Sequence, residues 1–288
     1  MVNPDGSPQP FLSYAQNAED VVLARALRPD LHPGFFIDVG AGHPDIDSVT
    51  RAFSVRGWTG INIEPLPEEF ALITQARPDD INLNIAIGTV AGTARLFAGP
   101  PESRGLSTMN QEYADAYLGD GKAFAPINVE VRTLADVVEE HAQRTVDFLK
   151  VDVEGFELDV LAGADWATFR PRVIVVEATL PESTEPSHHT WEPLLLHAGY
   201  VLALFDGLNR FYARSDEPEL AARLSTPANV TDGFVTASTV HATERAQRAE
   251  TYALSLVEQA EQTKVDMRIA QDRIRELEIA LHELKGSG

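Results

Sequence analysis

The chain has 288 residues, 44% hydrophobic and 23% charged, enough for one sizeable α/β body plus an appendage. It has no cysteine, so disulfides, thiolate metal sites and cysteine nucleophiles are excluded. Net charge is −21, of which the last 50 residues carry only −2; such an acidic body repels nucleic acid and anionic lipid and leaves neutral sugars, small molecules and cations as easier partners.

The first residues, Met1-Val2-Asn3-Pro4-Asp5, lack the basic and apolar pattern of a secretory leader. No apolar run approaches the ~20 residues that span a bilayer. Together with the missing cysteines, this sets the expectation of a cytoplasmic protein without a membrane span.

Phe35-Phe36-Ile37-Asp38-Val39 reads as a buried strand, and Gly40-Ala41-Gly42-His43-Pro44 as a turn whose glycines let the backbone close beneath a ligand. A helix is expected from about Ile46 to Arg56, with Asp45 and Asp47 at its mouth. The next strand, Thr59 to Glu64, ends in a carboxylate that can accept hydrogen bonds from both hydroxyls of a ribose. Strand, glycine turn, helix, strand and acid outline a nucleoside-binding unit. A dinucleotide site would place a third glycine where Asp45 stands, and two carboxylates there would repel a pyrophosphate. They tolerate a phosphate-free cationic ligand better, and S-adenosylmethionine fits that description. Capping of the helix by Asp45 and Asp47 is compatible with the same reading.

Pro65 and Pro67 open a helix to about Gln75, followed by a strand from Ile81 to Ile87. Asp147 to Asp152 is a further buried strand, with a helix near Glu157 to Ala162. Val173 to Glu177 is another apolar run ending in acid. Tyr200 to Phe205 and Leu208 to Ala213 flank Asp206-Gly207, a hairpin signal. These elements predict a doubly wound, mostly parallel α/β sheet closed by an antiparallel hairpin. Asp38, Glu64, Asp152 and Glu177 then converge on its carboxyl rim, where such sheets bind ligands.

From Ala246 to Leu284, small and apolar residues recur at alternating spacings of three and four over nearly six heptads, which predicts a coiled-coil helix roughly 58 Å long. Self-dimerisation is the leading expectation for its seam, ahead of docking to another protein or folding back on the body. The expected organisation is a body over 1–230, a linker over 231–238 and the coiled coil over 239–285.

Six segments resemble the FkbM family of S-adenosylmethionine-dependent methyltransferases: Ser13 to Asp20, Asp38 to Pro44, Gly57 to Pro65, Leu83 to Gly88, Phe148 to Gly155 and Phe205 to Tyr212. The resemblance spans about residues 12–230 in order and excludes the coiled coil. One departure is Ala18, where the family often has glycine. The resemblance implies a seven-stranded class I methyltransferase fold and methyl transfer, usually to a hydroxyl oxygen. It implies that Asp38, Gly40 and Gly42 line the methionine side of the cofactor and that Glu64 holds the ribose. Asn84 to Ala86 would approach the adenine, and Asp152 would border the reacting centre. Ser48 and Gln16 are further cofactor candidates, with packing or capping as their alternative.

A hydroxyl acceptor must shed a proton, which calls for a base or a metal. His188 and His189, after Val173 to Glu177, are candidate bases alongside Asp152. Asp152, Glu154 and Glu177 also resemble an oxygen-rich Mg2+ site; pairing with Lys150 is the simpler expectation. Trp191, Phe205 and Phe211 are expected in the core, with stacking on a sugar as the alternative. The expected function is O-methylation of a sugar hydroxyl on a glycan, glycolipid or glycosylated metabolite. The rivals are an inactive methyltransferase-like adaptor acting through its coil, and a nicotinamide-dependent oxidoreductase.

Overall fold

The computed structural model describes residues 10–286, with side chains of the last helix described to residue 282. The Met1 to Asp5 stretch, the Leu284 side chain and the final Ser287-Gly288 lie outside the described residues. The chain forms two compact units, Met1–Thr236 and Ala237–Gly288.

The first unit begins with β1 (Phe11–Ser13), α1 (Glu19–Leu27), β2 (Phe35–Val39), α2 (Arg51–Ser54), β3 (Thr59–Ile63), α3 (Pro67–Ala76) and β4 (Ile81–Leu83). An excursion follows: β5 (Ala86–Ile87), β6 (Gly92–Ala98), α4 (Gln111–Gly119) and β7 (Ala125–Arg132). Then come α5 (Leu134–His141), β8 (Phe148–Val151), α6 (Glu157–Ala162), β9 (Val173–Glu177), α7 (Glu192–His197), β10 (Tyr200–Phe205) and β11 (Asn209–Arg214). It ends with α8 (Pro218–Leu224) and β12 (Phe234–Thr236). The second unit is one helix, α9 (Ala237–Gly286).

Seven strands form the main sheet in the order β10-β11-β9-β8-β2-β3-β4. All pairs are parallel except those of β11, which runs antiparallel to both β9 and β10. Each central strand buries alternate residues on opposite faces. Ile37, Ile61, Leu149 and Ile174 pack with Leu134, Val137, Val160 and Trp191 on one side. Phe36, Phe148, Val173 and Phe211 pack with Val22, Leu23, Phe53 and Trp58 on the other. Burial on both faces is why these strands read as unbroken apolar runs. From β2 the chain moves outward through β3 and β4, then returns to β8 on the other side of β2. The gap between β2 and β8 is therefore the switch point of the sheet.

The structure departs from the sequence expectations in several places. The strand expected over 81–87 is split: β4 belongs to the main sheet and β5 pairs with β7 in a separate three-stranded sheet. Asn84 sits at the break, its amide donating to the carbonyls of Glu64 and Pro65 and drawing the chain off the sheet edge. The helix expected from Ile46 shortens to α2, because residues 43–50 form a loop held by side-chain bonds. Asp45 pairs with Arg51 at 2.7 Å and Asp47 has φ 53°, so neither caps that helix. Residues 231–238, expected as a linker, hold β12, which pairs in parallel with β1. Among the described residues no helix is long and apolar enough to cross a membrane.

Candidate active site at the switch point

The turn after β2 closes tightly against β8. Gly40 has φ 78°, and a Cβ there would lie 1.8 Å from the Asp152 carbonyl oxygen, so only glycine fits. Gly42 has φ 59° but faces open space, with nothing within 4 Å of an added Cβ. The turn is tied across to β3: Gly40 and Ala41 donate to the Ile63 carbonyl, and Gly42 N–H donates to Glu64 Oε2 at 2.8 Å. Leu66 N–H donates to the other Glu64 oxygen at 2.8 Å. Burial nevertheless pushes the Glu64 carboxyl up to about 7, with those two bonds opposing the shift.

Asp38, 1% exposed, is held from one side only. Thr50 Oγ1 donates to its Oδ2 at 2.8 Å, while Oδ1 has no hydrogen-bond partner and lies 3.6 Å from Lys150 Nζ. Arg77 fixes this arrangement from below. Its guanidinium donates to Thr50 Oγ1, Asn62 Oδ1, the Pro44 carbonyl and Ser48 Oγ at 2.6–3.2 Å. The Ser48 hydroxyl, a cofactor candidate from sequence, thus accepts a bond from Arg77 and anchors the 43–50 loop. Sequence reasoning missed Arg77, since an arginine closing a surface helix carries no signal of burial.

Lys150 on β8 spans the switch point. Its ammonium donates to the Gly40 carbonyl at 3.0 Å and meets Asp152 Oδ2 at 3.2 Å. Burial opposes its charge, but Asp152 and Asp38 outweigh that and hold Lys150 above the usual lysine range. Of the three acids expected to pair with Lys150 or to hold a metal, Asp152 makes an ion pair with it, and Asp38 supplies the second.

Asp152, Glu154 and Glu177 each bring a carboxylate oxygen within 4.8 Å of the others, and all three are half-buried. Burial, then mutual repulsion, pushes Glu154 and Glu177 well above the usual carboxylate range. Glu154 Oε2 is buried without a hydrogen-bond partner. Glu157, pushed up to about 7 by burial, accepts from the N–H groups of Val153 and Gly155 and shapes the turn that carries these acids. The β6–β7 excursion covers this turn. Thr108 donates to the Glu154 carbonyl at 2.7 Å, and the Tyr113 ring lies where a Cβ on Gly155 would sit. Lys122 pairs with Glu182, joining the end of α4 to the segment after β9.

The other sequence candidates fall in different settings. His188 is buried in a 3-10 turn (His188–Thr190), its ring 4.0 Å from that of exposed His189. Burial, Arg210 and His189 lower its pKa, and its Nδ1 has no hydrogen-bond partner. Gln16 and Asn84 are exposed, the latter engaged with backbone carbonyls as above. Ala86 is buried in β5 and packs with Leu66, Leu96, Val129 and Val131. Trp191 and Phe211 are core residues; Phe205 is 43% exposed beneath the Arg210 guanidinium.

The N-terminal motif locks onto the hairpin rather than the crevice. Asp20 accepts from Ser13 Oγ and Tyr14 N–H; Glu19 accepts from Asn17 N–H and, at 2.7 Å, from Asn209 Nδ2. Ala18, at the turn, has φ 59°.

The profile of the methyltransferase FkbM domain matches residues 38–202, more than half of the chain; the match begins at Asp38, near the end of β2, and holds the glycine turn, Glu64, Lys150, the acid cluster and both histidines. A curated relative, methyltransferase sdnD of Sordaria araneosa, is 31% identical over 103 residues, covering 32% of this chain and 36% of its own length. The matched stretch thus spans about a third of that relative.

Proposed function

The chain belongs to the FkbM methyltransferase family, and from that premise we propose that it transfers a methyl group from S-adenosylmethionine to a hydroxyl oxygen of a sugar, on a glycan, glycolipid or glycosylated metabolite. The observation carrying this reading is the switch-point crevice, where a one-sided Asp38, an open Gly42 and a strand-tip Glu64 meet the acids after β8 and β9. The donor set fits a cationic adenosyl ligand. Asp38 Oδ1 is buried without a hydrogen bond, its cation Lys150 standing off at 3.6 Å, which leaves it acceptor capacity for an ammonium, and each Glu64 oxygen keeps a lone pair for a ribose hydroxyl.

The bound cofactor supplies a methyl on a sulfonium, already an excellent leaving group; the protein's work is alignment and removal of one proton. Gly40 permits the close approach of β2 and β8, and Arg77 with Thr50 keeps Asp38 in one orientation. We assign to Asp152, at the end of β8, the role of accepting the proton of the acceptor hydroxyl. The acidic rim, covered by Tyr113, supports a polyhydroxylated acceptor, since carboxylates accept from hydroxyls and a tyrosine face packs on a sugar ring.

A second reading is favoured by the spacing of Asp152, Glu154 and Glu177: these would hold Mg2+, which lowers the pKa of an oxygen bound to it. Asp152 is then a ligand, and the proton falls to His188, whose burial keeps the ring neutral and whose Nδ1 is unpartnered; His189, exposed beside it, would relay that proton to water. Chelator separates the two readings, abolishing turnover under the second and leaving it intact under the first.

Calorimetry with S-adenosylmethionine, then release of S-adenosylhomocysteine across a panel of sugars and glycolipids, tests the proposal. Silence with every acceptor despite cofactor binding would point to the adaptor reading; preference for NAD would overturn the proposal. The exposed seam of α9 supports self-association as the accompanying assembly.

A further inference from the structure

α9 is a single unbroken helix whose seam is solvent-exposed along its described length: Leu256, Met267, Ile274, Leu277 and Leu281 are 45–58% exposed. One helix cannot bury its own stripe, and the 3-4 spacing assigns Ala246, Ala253, Ala260, Met267, Ile274 and Leu281 to one core position of a heptad. Ala249, Leu256, Thr263, Ala270 and Leu277 take the other. Ile274 followed by Leu277 is the β-branched-then-leucine order that favours two strands in parallel.

The flanking residues choose the partner. In a parallel, in-register pair, each residue preceding the first core position meets the residue five further along on the other copy. Over 245–281 these meetings are Arg245 with Glu250, Tyr252 with Val257, Gln259 with Lys264, Asp266 with Gln271 and Arg273 with Glu278. None joins like charges, two join opposite charges, and Tyr252 meets Val257, the large apolar surfaces of the two flanks. Reversing one helix within the same range destroys this. Tyr252 then faces Arg273, Val257 faces Glu278, and one opposite-charge meeting, Glu250 with Lys285, is left at the end of the pair. Arg273 also bonds Glu276 of its own helix through Nη1, which leaves the rest of its guanidinium fork for the second copy. We propose that the seam of α9 is covered by a second copy of this chain, parallel and in register. The proposal deepens the self-association reading above and rests on it.

The absence of cysteine makes the test direct. Light scattering on the full chain should give twice the chain mass. Leu256→Cys and Leu277→Cys, made separately, should each form a disulfide-linked dimer under mild oxidation. In the reversed arrangement two copies of residue 256 lie roughly 27 Å apart and cannot bridge. Arg245→Glu with Arg273→Glu should raise the dimer dissociation constant at least tenfold, and adding Glu250→Arg with Glu278→Arg should restore it. A monomer overturns the self-association reading itself. A dimer in which neither cysteine variant links, or in which charge reversal has no effect, overturns the parallel register while leaving self-association standing.

Discussion

The main-chain N–H of Gly42 donates a 2.8 Å hydrogen bond to Glu64 Oε2, so the glycine turn after β2 and the acid at the tip of β3 form one bonded unit. Neither can shift without the other. The unit puts a buried carboxylate beside a stretch of backbone with empty space over it, the arrangement a nucleoside needs.

Glu64→Ala should weaken binding of S-adenosylmethionine by ~1–3 kcal/mol, the range for lost hydrogen bonds to a charged group. Because the free carboxyl titrates at about 7, affinity in the parent should fall as pH drops below 7, when protonation removes an acceptor. Calorimetry at pH 6 and pH 8 reads both effects. An unchanged affinity in Glu64→Ala would move the ribose elsewhere.

Gly40→Ala and Gly42→Ala should behave differently. The first drives a methyl into the Asp152 carbonyl and should destabilise the body by ~2 kcal/mol or more, with cofactor binding lost. The second meets no atom, so its stability cost is the ~1 kcal/mol strain of a left-handed alanine. It should fold and yet bind cofactor less tightly, because the methyl enters the crevice. Thermal melting alongside calorimetry distinguishes the pair.

Buried acids make the body more stable in mild acid. Burial raises Glu19 to about 7, Asp20 to about 6 and Glu157 to about 7, each above its unfolded value. Their contribution is complete below the unfolded value, near 4 to 4.5, and is lost as pH rises through 6 to 7. The net charge of −21 acts in the same direction through self-repulsion at high pH. Melting temperature should therefore be higher at pH 5.5 than at pH 8. The reverse order would mean these carboxyls are ionised in the fold without cost.

Ala18→Gly should stabilise the protein by up to ~1 kcal/mol. Alanine at φ 59° carries left-handed strain that glycine lacks, only partly offset by the greater freedom of glycine in the unfolded chain. Denaturant titration measures the difference. A loss of stability would show that the Ala18 methyl packs usefully.

Removing residues 239–288 should leave a folded, cofactor-binding body that no longer self-associates, since β12 ends at Thr236 and its pairing with β1 is retained. Light scattering and calorimetry on the truncated chain check this.

Local pattern alone determined the buried strands, the glycine turn, the acid at each strand tip and the heptads of the final helix. Each depends on neighbours in sequence: alternation, turn chemistry and 3-4 spacing act over a few residues. Tertiary structure decided the rest. β7 does alternate, from Ile127 to Arg132, and was legible as a strand, but its placement in a small separate sheet rests on pairing with β6 and with β5, some forty residues earlier, which no local pattern gives. The 43–50 loop is held in its irregular path by Arg77, some thirty residues away, which donates to the Pro44 carbonyl and to the Ser48 and Thr50 hydroxyls. Lys150 could be read as a partner for nearby acids, but only when β2 and β8 lie side by side does its ammonium come between Asp38 and Asp152. What faces what across the switch point follows from strand order, and strand order is set by burying both faces of the sheet at once, a condition on the whole chain.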